Sequence, residues 1–592
     1  MSAEVPAPRA GRSQPAMPGR HAAPSEPGAD GSAGPGSGAE GTGWPAPGAD
    51  GTSRVAPAAG TTRPAPAAGG IRPDRGTGES PAPRWWTPAG LGGLVSRNPL
   101  FTAALALGVL VRVIAMAGFA PAMLIRLDSF IYLTDVHRSV PDPDNPNGYP
   151  FLLWLLRPFH SLALVAGLQA VMGLVVAGLV YTTLRRYGVP GWAGTLAALP
   201  VLLDPRELFI EHAIMADTLA LLLMIAAFAV LLSRAAPSVW RSATAGLLMG
   251  LAALARPTVL PLIVLLALFL LIRRVGWRRA AVALGAGILP VAAYAGWFYS
   301  SYSAVNLTNS NGLFLWARTM SFADCSVIKP PPRLTALCPQ NNPASKHLLR
   351  PDPASWSTLP RQQTAQTFLW SRKDWAWQPA PAAGAYQQPT TAFTVAKNKR
   401  AQEFALRAIK AQPLGYARVV AEGVATVFVR SDHEWRTPTV QPRSPRQVNG
   451  TLNYELSAVR SYTGGTAGLQ PYINAQLGTR LRQPFARLFG QYQRVVFLPG
   501  VLLAAIFAAG LGGLLLRRRA IATAALLWVS AVVVLVLPIA ENQENYRYAL
   551  PAVPLACMAA ALIFARRNSA GQDDAAGAAE SPERPADPHA AA

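Results

Sequence analysis

The sequence predicts an all-α polytopic membrane protein, a bundle of about ten transmembrane helices with a large extracytoplasmic loop region. Three observations carry that prediction. Of the 592 residues, 51% are hydrophobic and only 14% charged, and mean hydropathy is positive, whereas soluble chains carry roughly a quarter charged residues. Apolar runs recur near 99–119, 159–183, 190–204, 213–232, 242–255, 257–272, 280–300, 494–516, 520–539 and 548–565, the third and fifth being short. Arginines cluster at Arg185-Arg186, Arg234, Arg241, Arg273-Arg274, Arg278-Arg279, Arg517 to Arg519 and Arg566-Arg567. All of these fall on one face if every run crosses, which is the positive-inside pattern and puts both termini in the cytoplasm.

Residues 1–90 are rich in Pro, Gly, Ala and Ser, with almost no large aliphatics. Such a segment buries too little apolar surface to offset its ordering entropy, so it reads as a disordered cytoplasmic tail, as does 568–592. Trp85 and Trp86 mark the approach to the interface. Residues 91–300 form the N-terminal transmembrane module and 494–567 the C-terminal helices. Between them, 301–493 is a polar extracytoplasmic region. Lys and Arg outnumber Asp and Glu there, against the positive-inside bias, but long loops translocate largely regardless of charge. A basic outward loop attracts phosphate-bearing lipids or anionic envelope polymers. The net charge of +23 does not form a basic face on a soluble module, so nucleic acid is not an expected partner.

Within that region, Trp356, Trp370, Trp375 and Trp377 recur among Pro, Gln and Ser. Irregular packing on the membrane surface is the plain account, and a sugar-stacking platform the sharper one. Lys399 to Lys410 is helix-like, and Pro413 suits the first turn of a second helix reaching Val429. Asp432-His433-Glu434 reads as a solvated turn, because three consecutive side chains cannot all face one ion. Cys325 and Cys338 share one loop and can form a disulfide if it faces an oxidising compartment. Cys557 lies in an apolar run and reads as a small core residue.

The polar groups of the outer face carry the functional expectation. Asp128 is the first carboxylate after the first apolar run. Ile131, Tyr132 and Val136 follow at helical spacing, which predicts a short amphipathic helix on a membrane surface. The Pro, Asp, Asn and Gly cluster from Pro141 to Gly148 ends it. A carboxylate this close to a bilayer is a functional candidate by default. Asp217 falls in the first turns of a span, where negative charge also suits the helix dipole. That plainer account covers Glu211 too, yet Asp204, Glu207, Glu211 and Asp217 crowd one short turn. Arg256 and Arg547 flank spans on the same face and either snorkel to headgroups or fork onto phosphate. Arg547 also precedes Tyr548 and a Pro-interrupted span, where kinked backbone borders cavities. His137, His212 and His433 lack metalloprotease spacing. No nucleotide-binding glycine loop and no nucleophile elbow occurs, so the substrate must arrive already activated.

Five short motifs then stand in one order: DSFIYL with Asp128 and Tyr132, NGYP at Asn147 to Pro150, MADTLALLL with Asp217, ALARPT with Arg256, and RYALPAVP with Arg547. Together they resemble the GT-C superfamily of membrane glycosyltransferases, in particular the bacterial branch similar to protein O-mannosyltransferases and aminoarabinose transferases. The resemblance covers roughly residues 99–310 and 494–567. It implies a GT-C-like bundle and an inverting transferase at the extracytoplasmic face of the plasma membrane. The donor would be a polyprenyl-phosphate-linked sugar and the acceptor an envelope protein, lipid or polysaccharide. Asp128 would be the general base, and Asp217 would help bind acceptor or a divalent metal ion. Tyr132, Tyr149, Glu211, Arg256, Arg547 and Tyr548 would complete the substrate site. Many relatives carry paired acids in the first loop; here Asp128 is followed by Ser129, which leaves metal dependence open. The rival expectation is a transporter or flippase of lipid-linked saccharides, which calls for ionisable residues near mid-span and an internal repeat. Mid-span positions read as almost entirely apolar, and no repeat is visible. A non-catalytic envelope scaffold is the third alternative.

Overall fold

The computed structural model describes residues 98–125, 128–136, 138–339, 369, 393–429, 446–448, 451–453, 478–516, 521–542 and 546–566. Both expected tails, Trp85, Trp86, His137, Trp356, Trp370, Trp375, Trp377, the Asp432-His433-Glu434 turn and Arg517 to Arg519 lie outside the described residues.

The chain is mostly helical. Helix α1 (Pro99–Gly118) starts with proline in its first turn and turns Val111, Arg112 and Ala115 inward, while Leu107, Leu110 and Val113 face outward. Its 20 residues give about 30 Å, the thickness of a hydrocarbon core. Strand β1 (Phe119–Ala120) follows, then α2 (Asp128–Asp135), the short helix expected after Asp128. It does not lie on a surface: Phe130, Tyr132 and Leu133 are buried in one core with Met123, Leu208 and Met215. Helix α3 (Gly148–Leu156) leads to α4 (Leu162–Arg186), which Ser161 caps by accepting from the Leu164 amide at 3.2 Å.

Helices α5 (Gly191–Leu203) and α6 (Pro205–His212) meet at Asp204. There a proline restarts the helix, and the Asp204 carboxylate caps it from the Arg206 amide at 2.9 Å. Next come α7 (Asp217–Leu231), α8 (Val239–Ala255), α9 (Pro261–Ile272) and α10 (Trp277–Tyr302). A smaller unit then stacks α11 (Asn311–Thr319), α12 (Cys325–Ile328) and α13 (Val395–Ala411) around Trp316 and Phe404. The pair Cys325 and Cys338 is a disulfide with Cα atoms 6.1 Å apart. Helix α14 (Pro413–Val429) has the bounds its proline signals.

Little of the chain is strand, as the all-α expectation has it. A small antiparallel sheet in the order β1-β4-β3-β2 joins β1 to β2 (Arg446–Val448), β3 (Thr451–Asn453) and β4 (Gly478–Leu481), with Phe119 opposite Leu481. Pairings this short and this distant in sequence leave no periodic trace. Helices α15 (Phe485–Val495) and α16 (Gly500–Leu516) are bent by 56° at their junction. The chain closes with α17 (Ile521–Glu541), α18 (Tyr546–Ala549) and α19 (Ala552–Ala561).

Every expected apolar run contains a helix, but not every helix is membrane-length. Five segments are long and apolar enough to cross (99–118, 162–186, 277–302, 521–541 and 546–564), and a sixth if the bent pair is one span. Four apolar helices, at 191–203, 217–231, 239–255 and 257–272, are shorter. They are cut by capping and proline signals at their ends, Asp204-Pro205, Ser238 and Arg256-Pro257 among them. The short helices nevertheless share the largest core with α4, α17 and α19.

Candidate functional site

The site is built where two distant loops run side by side. After β1 the chain passes Met123, which pairs in parallel with Ala213. The Met123 amide donates to the His212 carbonyl, and the Ile214 amide to the Met123 carbonyl, each at 3.1 Å. Ser129 ties the same two segments. Its hydroxyl donates to the Ile214 carbonyl and accepts from the Ile125 amide, both at 2.9 Å. This stitching sets the first residues of α2 against the start of α7, and so brings Asp128 and Asp217 into one cluster. Ser129, the departure from paired acids, is thus the tether. A carboxylate there would offer the Ile214 carbonyl no proton.

Arg547, on α18, bridges the two acids. Its Nε donates to both Asp217 oxygens at 3.0 and 3.1 Å, and its Nη1 donates to Asp128 Oδ2. Arg256, just past α8, donates from Nη1 to Asp217 Oδ1. The Tyr548 ring lies 5.3 Å from the Arg256 guanidinium carbon and 6.0 Å from that of Arg547, within cation–π range of both. The cluster opens at one end: the Asp128 side chain is 33% exposed against 7% for Asp217. Tyr132 is buried beside it, and burial, ahead of the opposing pull of Arg547, holds its phenol above its ordinary range. The structure therefore unites Asp128, Asp217, Tyr132, Arg256, Arg547 and Tyr548.

Two expected substrate residues lie behind this cluster instead. Tyr149 is fully buried, edge-on to Tyr132 at 5.2 Å, and its hydroxyl donates to Gln169 Oε1 at 2.6 Å. Gln169 Nε2 in turn donates to the carbonyls of Glu211 and Ala213. Glu211 is 1% exposed and grips Arg112 two-pronged, Nε to Oε2 at 2.7 Å and Nη2 to Oε1 at 2.6 Å. Arg112 also donates to the carbonyls of Gly108, Val201 and Leu202. Both residues brace the α6–α7 turn, with their polar atoms already engaged. The apolar mid-span expectation is corrected here, since Arg112 sits inside α1. Its signal was visible: a lone arginine in an apolar run is expected to have a buried partner.

The Pro141–Gly148 turn is a second polar knot beside the site. Asp142 accepts from Arg138 Nη1 at 2.6 Å and from the amides of Asp144 and Asn145. Asp135, the other partner of Arg138, is held well above the usual carboxylate range by burial and then by the charge of Asp142. Burial, followed by the charges of Asp142 and Asp128, does the same to Asp144. The sequence of this stretch predicts a helix stop and carries part of the NGYP motif, but gives no local sign of the ion cluster. The remaining acids of the crowded turn divide their roles. Asp204 pairs with Arg206 at 2.7 Å, while Glu207 is buried, its carboxyl pushed up by burial and by Glu211, Asp204 and Asp217. His212 is buried, with Nε2 2.6 Å from the Phe119 carbonyl.

The donor set does not fit a divalent ion, which needs several oxygen ligands on one side. Asp217 already receives two guanidiniums and Asp128 one. Among the described residues no group of three His, Cys, Asp or Glu side chains converges to hold a metal. Two acids and two arginines make a neutral cluster suited to exchanging one anion for another. Comparison with protein-family models, with curated proteins and with solved structures found no match to this chain.

Proposed function

We propose that the chain is a GT-C-type glycosyltransferase that moves a sugar from a polyprenyl-phosphate donor to an envelope acceptor by an inverting displacement. The observation that supports this most is the Asp128–Arg547–Asp217–Arg256 chain, set among apolar helices and open at Asp128. Without substrate, Arg547 holds Asp128. A donor phosphate competes for that guanidinium, because arginine forks onto phosphate oxygens as readily as onto carboxylate. Its arrival draws Arg547 to the phosphate and leaves Asp128 as a free base, while Asp217 keeps Arg547 and Arg256 on station.

The acceptor hydroxyl then gives its proton to Asp128 as its oxygen attacks the anomeric carbon. The bond from that carbon to the phosphate oxygen breaks, and its electron pair leaves with polyprenyl phosphate. The charge gained by the phosphate meets Arg547 and Arg256, the kind of stabilisation worth about 10²–10³ in rate per donor. In this proposal the ten apolar helices all cross the plasma membrane, both termini are cytoplasmic and the cluster faces outward. The disulfide at Cys325 and Cys338 agrees with an oxidising compartment on that side.

The test is genetic and chemical. Cells lacking the gene should lose a glycan visible by mass spectrometry of the envelope. Wild-type chain should restore it, and Asp128→Asn, inserted at equal level, should not. Restoration by Asp128→Asn would remove Asp128 as the base.

A further inference from the structure

Helix α15 carries three distinct faces. At 3.6 residues per turn, Ala486 and Phe489 fall on the buried side, where Phe489 meets Phe119 edge-on at 5.7 Å. Phe485, Leu488 and Val495 fall on the next side and are 40%, 46% and 80% exposed. Arg487 and Arg494 share the third side with Gln491, and both arginines are exposed. No acidic residue occurs in the sequence between Glu455 and Glu541.

The height of this helix is set by its neighbours. A side chain at Gly118, the last residue of α1, would come within 2.8 Å of the Ala486 amide, so α15 lies directly against the end of a membrane-length helix. The Arg482 amide donates to the Gly118 carbonyl at 2.9 Å. At its other end the Leu498 amide donates to Asp204, between α5 and α6. The chain then turns by 56° into the apolar helix α16, where Val501 and Leu502 are exposed. A helix placed where spans end, with apolar and cationic faces side by side, has the pattern of one lying in the interface plane.

We propose that α15 is a docking surface for anionic phospholipid. Phe485, Leu488 and Val495 enter the acyl boundary, and Arg487 and Arg494 hold the headgroup phosphates. This surface is independent of any sugar transfer. The occupant follows from charge complementarity, since a pair of arginines that meets no acidic side chain among the described residues selects anionic over zwitterionic lipid, by about fivefold for each basic residue.

The experiment uses the full chain with Val495→Cys carrying an environment-sensitive fluorophore; Cys325 and Cys338 are bonded to each other and Cys557 is buried. In nanodiscs, spin-labelled phosphatidylglycerol should quench the probe severalfold more strongly than spin-labelled phosphatidylcholine at equal mole fraction. Adding Arg487→Gln and Arg494→Gln should abolish that preference, and Arg487→Lys with Arg494→Lys should retain it. Equal quenching by the two lipids in the parent, or none, would overturn the proposal. So would probe burial that appears only with two chains per disc, which assigns the face to a second copy. Shielding by added soluble polyanion in place of lipid would overturn it as well.

Discussion

Arg112→Leu is the sharpest structural perturbation available. It strips five hydrogen bonds, two to Glu211 and three to the carbonyls of Gly108, Val201 and Leu202. It also leaves a carboxylate that is 1% exposed without a cation. Removing one partner of a buried pair in this way costs about 3–5 kcal/mol. Glu211 packs into the space left by Gly173, where a Cβ would meet its carboxylate. The double change Arg112→Leu with Glu211→Leu removes both charges, and replacing a buried pair by apolar residues is often neutral or stabilising by about 1–4 kcal/mol. The native protein supplies the assay, because its free cysteine, Cys557, is buried. A thiol-reactive dye followed during heating in detergent reports unfolding directly. The single variant should unfold several degrees earlier, and the double should return most of that loss. Equal transitions for Arg112→Leu and wild type, or a double variant as weak as the sum of its singles, would refute the pairing.

Three further outcomes follow from the site. Arg547→Gln should lower transfer by about 10²–10³, and Arg547→Lys should recover little, since one ammonium cannot span Asp128 and Asp217 as the guanidinium does; initial rates with a polyprenyl-phosphate sugar check this. Ser129→Asp, although it restores a paired-acid motif, should destabilise by at least about 2 kcal/mol in the same thermal assay, because the buried carboxylate faces the Ile214 carbonyl. Asp135 titrates higher when folded than its ordinary 3.8, so the folded state holds the extra proton. The stability this contributes is present in full below 3.8 and is lost as pH rises through the raised folded value. Asp135→Asn should flatten that decline in thermal unfolding measured across pH.

Much of the architecture was legible in the chain because its signals are local. Apolar runs of bilayer length mark α1, α4, α10 and α17, and a single proline marks the start of α14 at Pro413. The candidate cluster was legible for the same reason: Asp128, Asp217, Arg256 and Arg547 each stand at the edge of an apolar run, where a charge is conspicuous. What escaped is pairwise. Arg112 and Glu211 are 99 residues apart and Ser129 and Ile214 are 85 apart, and helical periodicity reports which face a residue occupies, not which partner waits there. Tyr149 and Glu211 illustrate the point: the structure places them behind the cluster, on Gln169 and Arg112, and the sequence does not distinguish a brace from a lining residue. The β1-to-β4 pairing escaped because two residues are too few to show a period.

The most direct measurement is single-turnover release of polyprenyl phosphate by purified protein in nanodiscs, offered a panel of polyprenyl-phosphate sugars with wild-type envelope extract as acceptor. Wild type should release the lipid phosphate with one sugar and invert its anomeric configuration in the product. Asp128→Asn, folded by the thiol-access criterion, should not. Release by Asp128→Asn at the wild-type rate, or by neither protein with any sugar, would contradict the assignment.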